Sequence, residues 1–331
     1  MQNNIEVNLG KKSYQVIIGA GQIGYLEKFL STKNYSKIVI ITDENVASLH
    51  LSKLFESLFN CKIPTSTILT KAGELAKSFA NLEKVAEEIL TGEIDRKSLI
   101  IAFGGGVVGD LSGFLASILL RGIDFIQIPT TLLAMVDSSV GGKTAINSKY
   151  GKNLIGSFYQ PKLVICDPDF LLSLSPRQMK AGYCEIVKSA LIKDKDFFEF
   201  LDQNLEEKFL AKTDLEYLSI LIAKSCKIKA KIVSEDETEQ EGRMLLNFGH
   251  SFAHIFETET NYSGEILHGE AVSIGMVMAA EMSKNYQLIT KEEVSRISGH
   301  LKRAKLPISA NQIRPPPSLL WNSIPWTMIR K

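Results

Sequence analysis

The stretch Ser98-Leu99-Ile100-Ile101-Ala102-Phe103-Gly104-Gly105-Gly106-Val107-Val108-Gly109-Asp110 decides the fold. Its first part, Ser98 to Phe103, is a continuous apolar run of strand length bounded by glycines, the pattern of a strand buried on both faces. From Asp110 to Leu120 the spacing predicts a helix. A strand that passes through glycines into a helix is half of a βαβ unit. Glycines at that junction let the backbone approach a pyrophosphate, and the helix N-terminus favours negative charge. The spacing is not Gly-x-Gly-x-x-Gly, so the glycines alone fit a ligand-free tight turn equally well.

The same alternation extends outward. Lys37 to Thr42 (KIVIIT) reads as an earlier strand, closed by Asp43, whose carboxylate could accept hydrogen bonds from ribose hydroxyls. Leu82 to Leu90 has helical spacing, Asp124 to Ile128 is strand-like and ends at Pro129, and Leu163 to Cys166 is a further short strand. This order predicts an α/β domain with a mostly parallel, Rossmann-like sheet over residues 1–174. Beyond Ser173-Leu174-Ser175-Pro176, a turn that opens a helix, the pattern changes. Arg177 to Lys193, Asp214 to Ser234, Leu245 to Glu259 and Gly269 to Tyr286 all favour helix. Residues 175–331 are therefore expected to form a second, mainly helical domain.

Bulk properties narrow the class. The 331 residues suffice for about two domains. A net charge of +1 argues against a nucleic-acid footprint spread over the surface. The four cysteines, Cys61, Cys166, Cys184 and Cys226, form no Cys-x-x-Cys pair and suggest a reducing compartment. The N-terminus lacks a signal-peptide pattern, and no apolar run reaches about 18 residues. The expectation is a soluble, cytoplasmic protein that binds neither membrane nor nucleic acid.

Two clusters carry chemistry. Of five histidines, His250, His254 and His268 fall within nineteen residues. His250 and His254, four apart, share one face of a helix. With Glu185, a carboxylate in an otherwise apolar helix, two histidines make a catalytic metal arrangement with a position left open. Packed histidines are the bland alternative, and the concentration of three in an apolar setting favours metal. The second cluster is cationic. Asp137-Ser138-Ser139-Val140-Gly141-Gly142-Lys143-Thr144 resembles a phosphate cradle without P-loop spacing, Lys152-Asn153 follows, and Arg121, Lys188, Lys229, Lys231 and Arg243 add charge. Lys143 and Lys188 sit in glycine-rich or apolar sequence, so both are expected to be buried against an anionic substrate.

Taken together, these blocks closely resemble the 3-dehydroquinate synthase family. The match comprises 104–110, the long specific block from Ile128 to Thr144, Gly151-Lys152-Asn153, Glu185 to Lys188, Leu245 to His250, and Leu267-His268-Gly269-Glu270. The resemblance implies an N-terminal domain that binds NAD and a C-terminal helical domain that holds a divalent metal, zinc or cobalt. It places metal ligands on Glu185, His250 and His268. Dinucleotide contacts fall on Asp43, Glu74, Lys77, Gly105, Gly106, Val107, Asp110, Thr130, Thr131 and Lys152. Substrate contacts fall on Arg121, Asp137, Lys143, Asn153, Lys188, Lys229, Arg243 and Asn247. Catalytic roles go to His254 and Glu239, as proton-transfer positions, and to Lys188 and Asp137. The arginine matching Arg121 reaches a neighbouring subunit in this family, which implies a homodimer.

The reaction implied by the resemblance converts 3-deoxy-D-arabino-heptulosonate 7-phosphate to 3-dehydroquinate and phosphate, a step of the shikimate route to chorismate and the aromatic amino acids. A ring hydroxyl is transiently oxidised by NAD, phosphate is eliminated, the ketone is reduced again, and an intramolecular aldol step closes the carbocycle. Polyol dehydrogenases share the two-domain plan but would accumulate NADH, and the Lys143 and Lys152-Asn153 anion site argues against them. Cyclases acting on other sugar phosphates are disfavoured by Lys229 and Arg243, which suit a carboxylate. Where the family carries Met-x-x-Asp-Lys-Lys, this sequence ends Pro325-Trp326-Thr327-Met328-Ile329-Arg330-Lys331, after an atypical stretch from Ile313. Codons for those residues, read in a displaced frame, can encode Met-Asp-x-Asp-Lys-Lys, so a truncation or frameshift is expected there. A catalytically impaired homologue that binds only NAD is the alternative reading.

Overall fold

The computed structural model describes the chain except at residues 1–2, 206–208, 210–213, 261–263 and 313–331. The tail from Ile313 thus lies outside the described residues. In chain order the strands are β1 (Asn3–Val7), β2 (Tyr14–Ile18), β3 (Lys37–Asp43), β4 (Thr65–Thr70), β5 (Ser98–Gly104), β6 (Asp124–Pro129), β7 (Lys143–Ser148), β8 (Gly151–Phe158) and β9 (Leu163–Cys166). The α-helices are α1 (Tyr25–Ser31), α2 (Glu44–Ser57), α3 (Phe79–Thr91), α4 (Gly106–Ile118), α5 (Pro176–Lys193), α6 (Lys195–Asn204), α7 (Leu215–Glu235), α8 (His250–Glu259), α9 (His268–Asn285) and α10 (Lys291–Arg303). They form two units, Met1–Leu174 with Thr213–Thr238, and Ser175–Lys212 with Glu239–Lys331.

The first unit is built on a seven-stranded sheet of order β1-β2-β9-β6-β5-β3-β4. Only β1 and β2 pair antiparallel; the other neighbours are parallel, as the strand–helix alternation predicts. Every residue of β5 is buried, which explains its unbroken apolar sequence. The register sets Gly104 of β5 beside Pro129 of β6, so the glycine turn and the Pro129-Thr130-Thr131 turn emerge together at the carboxyl ends of neighbouring strands. That end of a parallel sheet is where α/β folds bind ligands. Helix α4 starts at Gly106, four residues before the reading from sequence. A Cβ on Gly104 would lie 2.7 Å from Val108 Cγ2, and this close approach lets the strand turn directly into the helix.

Two features of this unit depart from the sequence reading. The antiparallel β7–β8 hairpin was legible only as a turn with lysines, because its strands are polar and half exposed. Helix α7, assigned from sequence to the helical part of the chain, packs with β1 and β2. It buries Leu218, Leu221, Ile222, Cys226, Ile232 and Val233. Helical periodicity reveals an apolar stripe but not which surface receives it.

The second unit is helical. Helix α5 is buried over most of its length, and α9 packs against α5, α8 and α10. The continuous helix predicted over Leu245 to Glu259 is interrupted: a 3₁₀ turn spans Gly242–Asn247, and α8 starts at His250. Gly249 separates them at φ 80°, in the left-handed region that glycine tolerates. Helices α5 and α9 approach so closely that a Cβ on Gly269 would lie 1.9 Å from the Ala181 carbonyl oxygen.

Candidate active site

The second unit brings Glu185, His250 and His268 together, with one ligand atom from each within 4.8 Å of the others. Glu185 lies mid-helix on α5 and is 1% exposed. His250 and His268 are the first residues of α8 and α9. Their Nε2 atoms lie 4.0 Å and 3.5 Å from Glu185 Oε1. The opposite ring nitrogens face acceptors: His250 Nδ1 lies 3.3 Å from the Phe248 carbonyl, and His268 Nδ1 lies 3.1 Å from Glu257 Oε1. Both histidines thereby turn Nε2 toward the carboxylate, and in the neutral ring that nitrogen is the one a metal would use. The start of α9 is fixed by Glu270, which accepts from the Leu267 N–H at 2.9 Å and pairs with Arg177 of α5 at 2.7 Å. Two imidazoles and a carboxylate fit a zinc- or cobalt-type ion with open positions for substrate.

Around this cluster, Lys188 sits one turn after Glu185, equally buried, and forms an ion pair with it. His254, one turn after His250, is mostly exposed, and its Nδ1 lies 2.8 Å from Glu257 Oε2. Arg243 is 1% exposed. Asn247 donates to Glu239 Oε1 at 2.9 Å, and Glu239 adopts φ 60°. Glu257 was not among the residues singled out from sequence. Its spacing three residues after His254 on an apolar helix was the available signal.

In the first unit the dinucleotide candidates converge. Lys77 is 4% exposed and pairs with Asp110 Oδ2 at 2.6 Å, with Asn153 Oδ1, and with Glu74 at 3.7 Å. Lys152 lies 3.7 Å from the other Glu74 oxygen. Burial pushes the Asp110 carboxyl above its usual range, against the opposing pull of Lys77. Gly105 and Gly106 open α4, with Val107 in its first turn. A Cβ on Gly105 would meet Thr131 at 3.2 Å, and one on Gly106 would meet Ser138 Oγ at 3.0 Å, so a larger residue would fill the cradle. Among the described residues, the buried Thr130 hydroxyl has no hydrogen-bond partner, as a group awaiting a ligand would. Asp43 also caps α2, its Oδ1 accepting from Asn45 and Val46 N–H at 3.0 Å each. These features fit a dinucleotide.

Among the anion-binding candidates of this unit, Lys229 is buried and donates to Asp137 Oδ1 at 2.5 Å and to the Asp137 carbonyl at 2.7 Å. Asp137 lies in a π-helical turn, Ala134–Ser138, a local widening often found at functional sites. Arg121 and Asn153 are exposed, with φ of 68° and 56°. Such left-handed conformations cost of order 1 kcal/mol in non-glycine residues and cluster at ligand sites. One expectation is corrected. Lys188 is buried as predicted, but Lys143, the first residue of β7, is exposed, whereas the three residues after it are buried.

Residues 67–181 match the family model described as 3-dehydroquinate synthase N-terminal, and residues 182–320 the one described as 3-dehydroquinate synthase C-terminal. A 3-dehydroquinate synthase of Bartonella quintana is 48% identical over 316 residues, covering 93% of this chain and 83% of the relative. The fold is similar to that of a 2-deoxy-scyllo-inosose synthase solved with carbaglucose-6-phosphate, NAD+ and Co2+, at 28% identity and TM-score 0.84 over 91% of this chain and 82% of that one. A 2-epi-5-epi-valiolone synthase from Streptomyces hygroscopicus with NAD+ and Zn2+ bound gives 27% identity and TM-score 0.83 over 92% and 83%. With both family models in register along one chain, and with near-half identity to a relative across almost all of it, this chain belongs to the 3-dehydroquinate synthase family.

Proposed function

We propose that this chain converts 3-deoxy-D-arabino-heptulosonate 7-phosphate to 3-dehydroquinate and inorganic phosphate, with NAD and a divalent ion, zinc or cobalt, as cofactors. The observation that carries this reading is the buried Glu185 facing the Nε2 atoms of His250 and His268. Those three side chains would hold the ion. Asp43, Glu74, Lys77, Gly105, Gly106, Val107, Asp110, Thr130, Thr131 and Lys152 would hold NAD. When bound, the two groups supply Lewis acidity toward the substrate hydroxyls and a reversible hydride acceptor.

The remaining residues bind the anionic substrate and move its protons. Lys143, Lys188, Lys229, Arg121 and Arg243 neutralise its carboxylate and phosphate, and Asn153 and Asn247 hydrogen-bond its oxygens. Lys188 is dry and fixed by Glu185, which strengthens its pull on a departing phosphate. His254 has its Nδ1 committed to Glu257, leaving Nε2 to exchange a proton with substrate. Glu239, held by Asn247, offers a second carboxylate for proton transfer. Asp137 fixes the Lys229 ammonium, so a catalytic role for Asp137 runs through the orientation of that cation. Holding one flexible molecule through several steps depends on this density of fixed contacts. The exposed Arg121, in its left-handed conformation, supports assembly as a homodimer in which it serves the neighbouring site.

Incubation with NAD, Co2+ and the heptulosonate phosphate tests the reading. Phosphate and dehydroquinate should appear in equal amounts, and Glu185→Gln should abolish both. Phosphate release unaffected by Glu185→Gln would refute it.

A further inference from the structure

Glu257 is buried at 3% exposure, yet it lies on α8 outside the set of residues assigned to metal, cofactor or substrate. Its two oxygens are divided between two histidines. Oε1 lies 3.1 Å from His268 Nδ1, and Oε2 lies 2.8 Å from His254 Nδ1. An ionised carboxylate only accepts hydrogen bonds, so both facing nitrogens carry protons, and in each neutral ring Nε2 is then the nitrogen that offers a lone pair. For His268 that nitrogen is the one turned toward Glu185. For His254 it belongs to a mostly exposed ring.

We propose that Glu257 is the positioning carboxylate of this site, one side chain that sets the tautomer and ring orientation of both the metal-ligating His268 and the proton-transferring His254. The inference rests on the metal reading above and deepens it. Outer carboxylates of this kind orient a ligand imidazole and raise its basicity, and their loss typically weakens metal binding by about 10–100-fold. Sharing one carboxylate also ties the two histidines together. A glutamine there keeps the shape but offers one oxygen and one N–H₂ group to two N–H donors. One histidine must then reverse its tautomer or turn away. If that is His268, its proton moves to Nε2 and blocks the metal.

The test is titration of the metal-stripped full chain with Co2+, followed by the visible absorption of the bound ion, for wild type, Glu257→Gln and His254→Ala. The expected result is a Co2+ dissociation constant about 10–100-fold weaker in Glu257→Gln with an altered visible spectrum, and an unchanged constant in His254→Ala. Circular dichroism and melting temperature establish that each variant is folded. A folded Glu257→Gln protein that binds Co2+ within about twofold of wild type, with the same spectrum, overturns the inference while leaving the metal reading intact. Wild type that binds no Co2+ refutes the metal reading, and the inference with it. Should Glu257→Gln fail to fold, ¹⁵N NMR of the zinc-loaded wild type decides alone: a protonated His268 Nδ1 supports the role, and an unprotonated one refutes it.

Discussion

At His268 two opposing effects meet. Burial favours the neutral imidazole, whereas Glu185 and Glu257 favour the cation, and together the carboxylates raise its pKa to about 10. Because the folded value lies above the ordinary one, the protonated ring stabilises the metal-free fold most fully below about pH 6.5, and that contribution is lost as pH rises through about 10. Metal binding must displace the same proton. Apparent Co2+ affinity should therefore rise about tenfold per pH unit between about pH 7 and 9, measured by titration at several pH values. An affinity flat over that range would show that His268 is already deprotonated. Lys188 gives a second prediction. Lys188→Met leaves the buried Glu185 carboxylate without this cation, so the metal-free protein should lose about 3 kcal/mol in urea unfolding, with much of it restored by Co2+. At Asp43 capping and ligand binding separate. Asp43→Asn keeps the Oδ1 acceptor, so its melting temperature should stay near wild type while NAD affinity falls about tenfold. Asp43→Ala should lose both, with a stability cost of about 1 kcal/mol.

At the scale of elements, the helices of the second unit place Glu185 and His268 through one contact without a side chain. Gly269 follows His268 directly and meets the Ala181 carbonyl of α5, four residues before Glu185. Gly269→Ala should force the two helices apart, lowering stability by about 1–3 kcal/mol and weakening Co2+ binding together. A melting temperature that falls with an unchanged Co2+ constant would show that the packing and the site are independent. These contacts also mark where sequence reading succeeds. Strand β5 was legible because burial on both faces leaves an unbroken apolar run, and the cluster of Glu185, His250 and His268 was legible as a candidate because histidines are scarce. The β7–β8 hairpin was not, because its polar, half-exposed strands carry no period. The break at Gly249 was hidden by helix-favouring residues on both sides. The exposure of Lys143 belongs to the first position of β7, which glycine-rich flanks do not reveal. Glu257 stayed hidden because a lone glutamate on a helix is ordinary until its neighbours in space are known.

For the whole molecule, the chain returns to the first unit for α7 after leaving it at Leu174. That return places Lys229 against Asp137, so the α/β unit carries this buried lysine as well as the glycine turn. Among the described residues no helix is long and apolar enough to cross a membrane. The homodimer proposed from Arg121 is checked by analytical ultracentrifugation. A species of twice the 36.7 kDa chain mass is expected, and a monomer that remains fully active would remove the subunit-crossing role of Arg121.

In the proposed reaction oxidation is transient and serves a cyclisation. The most direct measurement follows phosphate, dehydroquinate and NADH together in one reaction containing the full chain, NAD, Co2+ and the heptulosonate phosphate. Phosphate and dehydroquinate should appear in equal amounts over many turnovers, with no NADH accumulating. NADH accumulating in step with substrate consumption, without phosphate release, would make this protein a dehydrogenase and rule out the cyclisation.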